Sequence, residues 1–214
     1  MNFDGELLWH HTSLHFYGQW LPGDPRGFRT KRHREHVEGD YKNPPKEDYS
    51  DRHRRAKDSL KHPPTEIASA DREIVCQTLL RSLDVQALDA AAIAVTKSHC
   101  HLLAKLPRWN AKVAVGTLKR EVTRRLGTRY ERPVWATRSR PETVRGCPHW
   151  TRTLAYILRH DREGGAVWVW NGPRVAIPGR AIQTAPIRES RIAERIRTEG
   201  DDWRRLPPLG AGDE

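Results

Sequence analysis

Two histidines separated by one residue, His99 and His101, stand in an otherwise apolar run, Ser98-His99-Cys100-His101-Leu102-Leu103. In an extended strand residues i and i+2 project from the same face. The two imidazoles therefore lie side by side, close enough to share one divalent metal ion, while Cys100 points the other way. The even positions Cys100, Leu102, Ala104 and Leu106 make a continuous apolar face, and the odd face carries His99, His101, Leu103 and Lys105. One face reads as core and the other as a site. A second pair, Tyr156 and His160, is spaced i and i+4 and stacks on one side of a helix. At about 100° per residue that side is roughly opposite the one shared by Trp150, Leu154, Ile157 and Leu158. A tyrosine and a histidine one turn apart, off the packing face, can approach the metal that His99 and His101 hold. His160 would complete a set of neutral imidazole ligands, and Tyr156 would aim its hydroxyl at whatever the metal polarises.

The elements that must carry these residues follow from patterning. Residues 7–17, from Leu7 to Tyr17, are rich in aromatic and β-forming side chains and read as a first strand. The Pro/Gly-dense stretch Trp20 to Phe28 must be loop. From Arg29 to His62 the chain carries eleven Lys/Arg against seven Asp/Glu and is broken by prolines, a solvated insertion with little regular structure. After Pro63-Pro64, Thr65 or Ser69 can cap a helix whose apolar stripe is Val75, Leu79 and Leu83, flanked by Ile74 and Leu80. Residues 87–95 form a second strand and 99–106 a third, joined as a hairpin by Thr96-Lys97-Ser98. Trp109 to Leu126 is an amphipathic helix with Val115, Leu118, Val122 and Leu126 on one stripe. A fourth strand falls within 133–146. A last helix runs from Pro148 to about Arg162, stopped by Gly164-Gly165, with Val167 to Trp170 as an edge strand and a short helix near 188–197.

Strand, helix, strand, strand, helix, strand is the split β-α-β, ferredoxin-like order. The fold class is α+β, an antiparallel sheet with helices on one face, plus an additional C-terminal helix. On this reading residues 1–170 form one domain with a polar insertion at about 18–64. Residues 171–214 form a charged, Pro/Gly-rich and partly disordered extension.

A formal charge of +11 with pI ≈ 10.0 favours a polyanionic partner, nucleic acid first. Cys76, Cys100 and Cys147 have no C-x-x-C spacing, which argues against a disulfide framework or cysteine-rich zinc site and for a reduced, cytoplasmic compartment. The first residues lack the features of a signal peptide, and no apolar run reaches the roughly 18 residues of a membrane span.

His99-Cys100-His101 followed by Leu102-Leu103, with Tyr156 and His160 on the helix after the fourth strand, resembles the HUH single-tyrosine transposases, in particular the REP-associated tyrosine transposases. The likeness covers roughly residues 7–170. Tyr17-Gly18-Gln19-Trp20-Leu21-Pro22-Gly23-Asp24-Pro25-Arg26-Gly27 also looks like an opening found in a subgroup of that family. Two departures stand out: Cys100 replaces a bulky aliphatic residue, and Thr96-Lys97-Ser98 stands where members often have Met-Pro-Asn. Neither removes a ligand or the tyrosine. The resemblance implies Tyr156 as nucleophile, His99, His101 and His160 as ligands of Mg²⁺ or Mn²⁺, and single-stranded, hairpin-bearing DNA as partner. It implies nicking and rejoining through a 5′-phosphotyrosine intermediate, with a homodimer as the candidate assembly.

DNA contacts fall to Lys119, Arg120, Arg124, Arg125 and Arg129, to Arg29, Lys31, Arg32 and Arg34 in the insertion, and to Trp20, Trp109 and Trp135 as stacking platforms. Tyr17 and Tyr130 are rival nucleophiles that lack a histidine at i+4. Two other classes stay open: a non-catalytic nucleic-acid binder that keeps fold and charge, and a metal-dependent phosphoesterase that uses His-x-His without the tyrosine.

Overall fold

A computed structural model describes residues 6–24, 50–130 and 133–170, together with four two-residue strand segments, Phe28–Arg29, His36–Val37, Ala176–Ile177 and Arg180–Ala181. Strand β1 is Leu7–His15. Helix α1, Ser50–Asp58, lies inside the polar insertion, where the sequence pattern offers no apolar stripe to announce it. The insertion is closed at its neck, where the Thr65 N–H donates to the Tyr17 carbonyl at 2.8 Å. Then follow α2 (Ser69–Val85), β2 (Ala90–Val95), β3 (His99–Pro107), α3 (Ala111–Leu126), β4 (Arg140–Thr143), α4 (Gly146–Leu158) and β5 (Ala166–Val169).

The strands form one antiparallel sheet in the order β4-β1-β3-β2-β5. Its first four members have the ferredoxin-like arrangement, and β5 extends the β2 edge. The even face of β3 packs as its alternation demands: Cys100, Leu102, Ala104 and Leu106 join Leu14, Phe16, Ile93 and Val95 beneath Val75, Leu79 and Leu83 of α2 and Val115, Leu118 and Val122 of α3. The other face is not left to solvent. Helix α4 lies across it, burying Trp150, Thr153 and Ile157 in a cluster with Trp9, Ala92, Ala94, Leu103, Val167 and Val169. The small side chains Ala92 and Ala94 let the helix approach, and Trp9 and Trp150 meet edge to face at 4.6 Å.

Several expectations need correction. Neither Thr65 nor Ser69 caps α2. The Thr65 hydroxyl donates to the Pro133 carbonyl, Ser69 is already helical, and the phenol of Tyr130 accepts the Ala68 N–H at the helix start. The fourth strand is shorter than 133–146. Only Arg140–Thr143 pairs as a strand, preceded by a bridge between Phe16 and Trp135. Helix α4 ends at Leu158 and gives way to a 3-10 turn over Arg159–Asp161, so His160 sits just past the helix proper. Its buried stripe runs through Thr153 and Ile157, while Leu154 and Leu158 are only half-buried. The helix is rotated so that Tyr156 and His160 flank the packing surface instead of opposing it. The helix near 188–197 lies outside the described residues.

Candidate metal and tyrosine site

Strand alternation places His99 and His101 on the α4 face of β3, and the antiparallel register sets His15 opposite His99 and Ser13 opposite His101. β1 carries His11, Ser13 and His15 at spacing two, so all three share that face. From α4 and its 3-10 extension come Tyr156 and His160. Five imidazoles and a phenol converge. His101 stacks on His160 with centroids 4.9 Å apart and planes 9° from parallel, and it meets Tyr156 edge-on at 4.8 Å. The ring-nitrogen ligand atoms of His99, His101 and His160 all lie within 4.8 Å of one another. Three nitrogens at about 2.1 Å from a common ion stand about 3.0–3.6 Å from one another, so sharing one requires the widest pair to close by about 1–2 Å.

Each imidazole of the triad is held through Nδ1. His101 Nδ1 is 3.2 Å from both Ser13 Oγ and His11 Nε2. His99 Nδ1 is 2.9 Å from Ser98 Oγ and 3.1 Å from Thr96 Oγ1. His160 Nδ1 is 2.6 Å from Glu163 Oε2. Nδ1 anchoring leaves Nε2 for a ligand, the arrangement in which outer partners orient metal-binding histidines. The opposite nitrogens of two members bear this out: among the described residues His101 Nε2 and His160 Nε2 are buried with no hydrogen-bond partner. A buried polar atom left so is costly, and a cation at the centre of the triad would satisfy both. Three such histidines can hold a metal ion.

Electrostatics keep His101 deprotonated. His101 is 3% exposed, and its pKa is driven far below the ordinary imidazole value, by burial first and then by the neighbouring His99, His11, His160 and His15. Burial also lowers the pKa of His11, reinforced by His149 and opposed by the carboxylate of Glu142. A neutral imidazole is the ligand form.

Against known proteins the chain stands apart. No family model matches it, and no curated protein does. A solved REP-associated tyrosine transposase bound to a REP hairpin is 9% identical, over 76% of this chain and 73% of that one, with a TM-score of 0.43. At that level the fold and the site rest on the strands and side chains of this molecule.

The remaining candidates scatter. Trp20 lies beside His15, centroids 5.3 Å apart, and is 41% exposed, at the His99 end of β3. Trp109 is more exposed but follows Pro107, eight residues along the strand from His99, or about 26 Å at strand spacing. Trp135 stacks on Phe16 in the core, and its indole N–H donates to the Lys119 carbonyl. Lys119 is turned inward and donates to the Ala136 carbonyl. Arg124 is paired with Glu121, Arg129 with Asp71, and Arg120 donates to Thr117 Oγ1. All four belong to α3 and the turn after it, on the face of the sheet away from the histidines. Lys31, Arg32 and Arg34 lie outside the described residues, as does the side chain of Arg29. Tyr130 is tied to Ala68 and Asp71, with its pKa raised mainly by burial, and the Tyr17 hydroxyl accepts the Lys61 N–H.

Sequence reasoning missed His11, Ser13, His15, Glu163 and Arg159. The first three had a signal, period-two spacing on a strand that must neighbour β3. Glu163 and Arg159 had none, because their roles depend on how the chain turns after α4. The Arg159 guanidinium sits over the Tyr156 ring, 4.4 Å from its centroid.

Proposed function

We propose that this protein is a transposase-like strand transferase that nicks and rejoins single-stranded DNA, with Tyr156 as nucleophile. The observation that carries the reading is the convergence of Tyr156, from α4, on a triad of inward-facing imidazoles supplied by β3 and the turn after α4. A nucleophile and a neutral nitrogen-donor set brought together from distant parts of the chain suit phosphodiester exchange better than either alone. His99, His101 and His160 would hold Mg²⁺ or Mn²⁺, and a cation bound there would neutralise the scissile phosphate and polarise its phosphorus.

The chain's own residues do the rest. α4 fixes the Tyr156 ring against His101 through the buried anchors Trp150 and Ile157, so the nucleophile is oriented before substrate arrives. Arg159, over the phenol, draws the phosphate towards it. Attack forms the Tyr156 Oη–P bond and breaks the P–O3′ bond. The phenolic proton is lost and the departing 3′ oxygen takes one up, leaving a 5′-phosphotyrosine and a free 3′-OH. The ester bond energy is kept in the adduct, so the reverse attack by a 3′-OH rejoins the strand without ATP. Trp20, exposed beside His15, is placed for an unpaired base to stack on it. Arg120, Arg124, Arg125 and Arg129 would bind flanking phosphates around the far side of the sheet.

The test is a covalent adduct on a denaturing gel after incubation with hairpin-bearing single-stranded DNA and Mn²⁺. Tyr156→Phe should abolish the adduct and leave DNA affinity nearly unchanged. An adduct surviving in that variant would remove Tyr156 from the role. Cleavage without adduct in the unaltered protein would mark a phosphoesterase, and binding without either would mark a non-catalytic binder.

A further inference from the structure

We propose that Glu163 is a positioning residue that selects which ring nitrogen His160 presents to the centre, an inference that rests on the metal-site reading above. The Glu163 carboxylate can only accept, so at 2.6 Å it requires His160 to carry its proton on Nδ1 and leaves the Nε2 lone pair facing His99 and His101. The free side chain in water favours the opposite tautomer, with the proton on Nε2, which would turn a hydrogen towards the ion. The described Nδ1 partners of His99 and His101 are hydroxyls and another imidazole. Glu163 alone among these brings a full negative charge, which raises the basicity of the ring it holds.

The backbone makes this contact hard to avoid. The His160 carbonyl accepts two backbone N–H groups, from Glu163 at 3.1 Å and from Gly165 at 2.9 Å. A Cβ at Gly165 would fall 2.8 Å from that same carbonyl oxygen and 3.2 Å from the oxygen of Val95, so only glycine lets the turn close so tightly on the sheet. Gly164 supplies a positive φ of 73°, and its carbonyl accepts from Arg72 Nη1 of α2 at 2.7 Å. The turn is clamped between the sheet and α2, and Glu163 is carried back to His160 within it. On the other carboxylate oxygen, Arg159 Nε stands at 4.0 Å. The Glu163 side chain is 54% exposed while that of His160 is 4% exposed, so Glu163 can be replaced without opening the core.

The experiment reads the tautomer directly in metal-free full-length protein. With ¹⁵N-labelled histidine, two-bond ¹H–¹⁵N correlations distinguish the two neutral forms, and His160→Gln assigns the signal by its loss. His160 should show the Nδ1–H pattern in the unaltered protein and shift to Nε2–H, or to an exchanging mixture, in Glu163→Ala. Glu163→Gln, which still offers a carbonyl acceptor, should keep the Nδ1–H form. Titration with Mn²⁺ and Co²⁺ should then show binding about 10–100-fold weaker in Glu163→Ala, with a smaller loss in Glu163→Gln. An Nε2–H pattern in the unaltered protein overturns the proposal, as does an alanine variant with an unchanged spectrum or unchanged cation affinity. The expected tautomer pattern in a protein that binds neither ion would support the positioning role and overturn the metal centre instead.

Discussion

His101 is the residue on which the site turns, and its burial has a consequence that can be measured without DNA or metal. In the folded protein the ring stays neutral well below the ordinary imidazole pKa of about 6.5, because burial and four neighbouring imidazoles disfavour the charge. The unfolded chain takes up a proton there as usual. Unfolded molecules thus bind more protons below about pH 6.5. The stability tied to His101 is fully present above that pH and falls as the pH drops beneath it, by about 1.4 kcal/mol per pH unit for one proton. Urea unfolding of chelator-treated protein between pH 7.5 and 5 should show this decline. His101→Leu should flatten it by roughly one proton's worth, while a variant whose acid limb is as steep as the parent's would contradict the account. Cys100, between the two histidines, faces Cys76 in the opposite layer, and burial pushes both thiols up, so neither competes as a ligand. The Thr96-Lys97-Ser98 turn gains a role here too, since its two hydroxyls are the groups that hold the His99 Nδ1.

Elements bring these residues together, and the important one is α4 with the turn that follows it. Gly165→Ala should strain that turn, because the added methyl meets two carbonyl oxygens of the backbone. A loss of about 1–3 kcal/mol is expected from such overpacking, with weaker Mn²⁺ binding as His160 is displaced. A thermal melt and a cation titration check the two together, and an alanine variant that matches the parent in both would refute the clamp. The strands were readable in advance because period-two alternation reports a face directly, and β3 shows it cleanly from His99 to Leu106. The rotation of α4 was not readable. Leu154 and Leu158 look like packing residues by hydropathy, yet the sheet beneath offers Ala92, Ala94 and Leu103, and the helix seats Thr153 and Ile157 there. Which face of a helix is buried depends on the shape of its partner as well as on its own apolar stripe. Tyr156 and His160 could be paired from spacing alone, but the chain reversal that brings Glu163 to His160 is set by Gly164, Gly165 and their distant contacts with Val95 and Arg72.

At the scale of the whole molecule, the α3 arginines and the site lie on different sides of the sheet. The histidines and Tyr156 occupy the α4 face, whereas Arg120, Arg124 and Arg125 are exposed on α3 behind it. A DNA strand served by both must pass around an edge, and its affinity should depend steeply on salt. Replacing Arg120 and Arg125 by alanine should lower the slope of log K against log[salt] by about 0.7 for each phosphate no longer neutralised, with the adduct yield at saturating DNA little altered. An unchanged slope would take those two residues out of the interface. Composition points to a polyanionic partner but not to its path, because net charge has no direction. The last strand has one more consequence. β5 begins one residue after Gly165, pairs along β2 from Ala92 to Val95, and is followed by a Trp170 N–H that donates to the Ala91 carbonyl. A pull on the chain beyond Trp170 must therefore unzip that ladder before it can move His160. The sheet edge acts as a strain relief, shielding the site from whatever load the C-terminal extension carries.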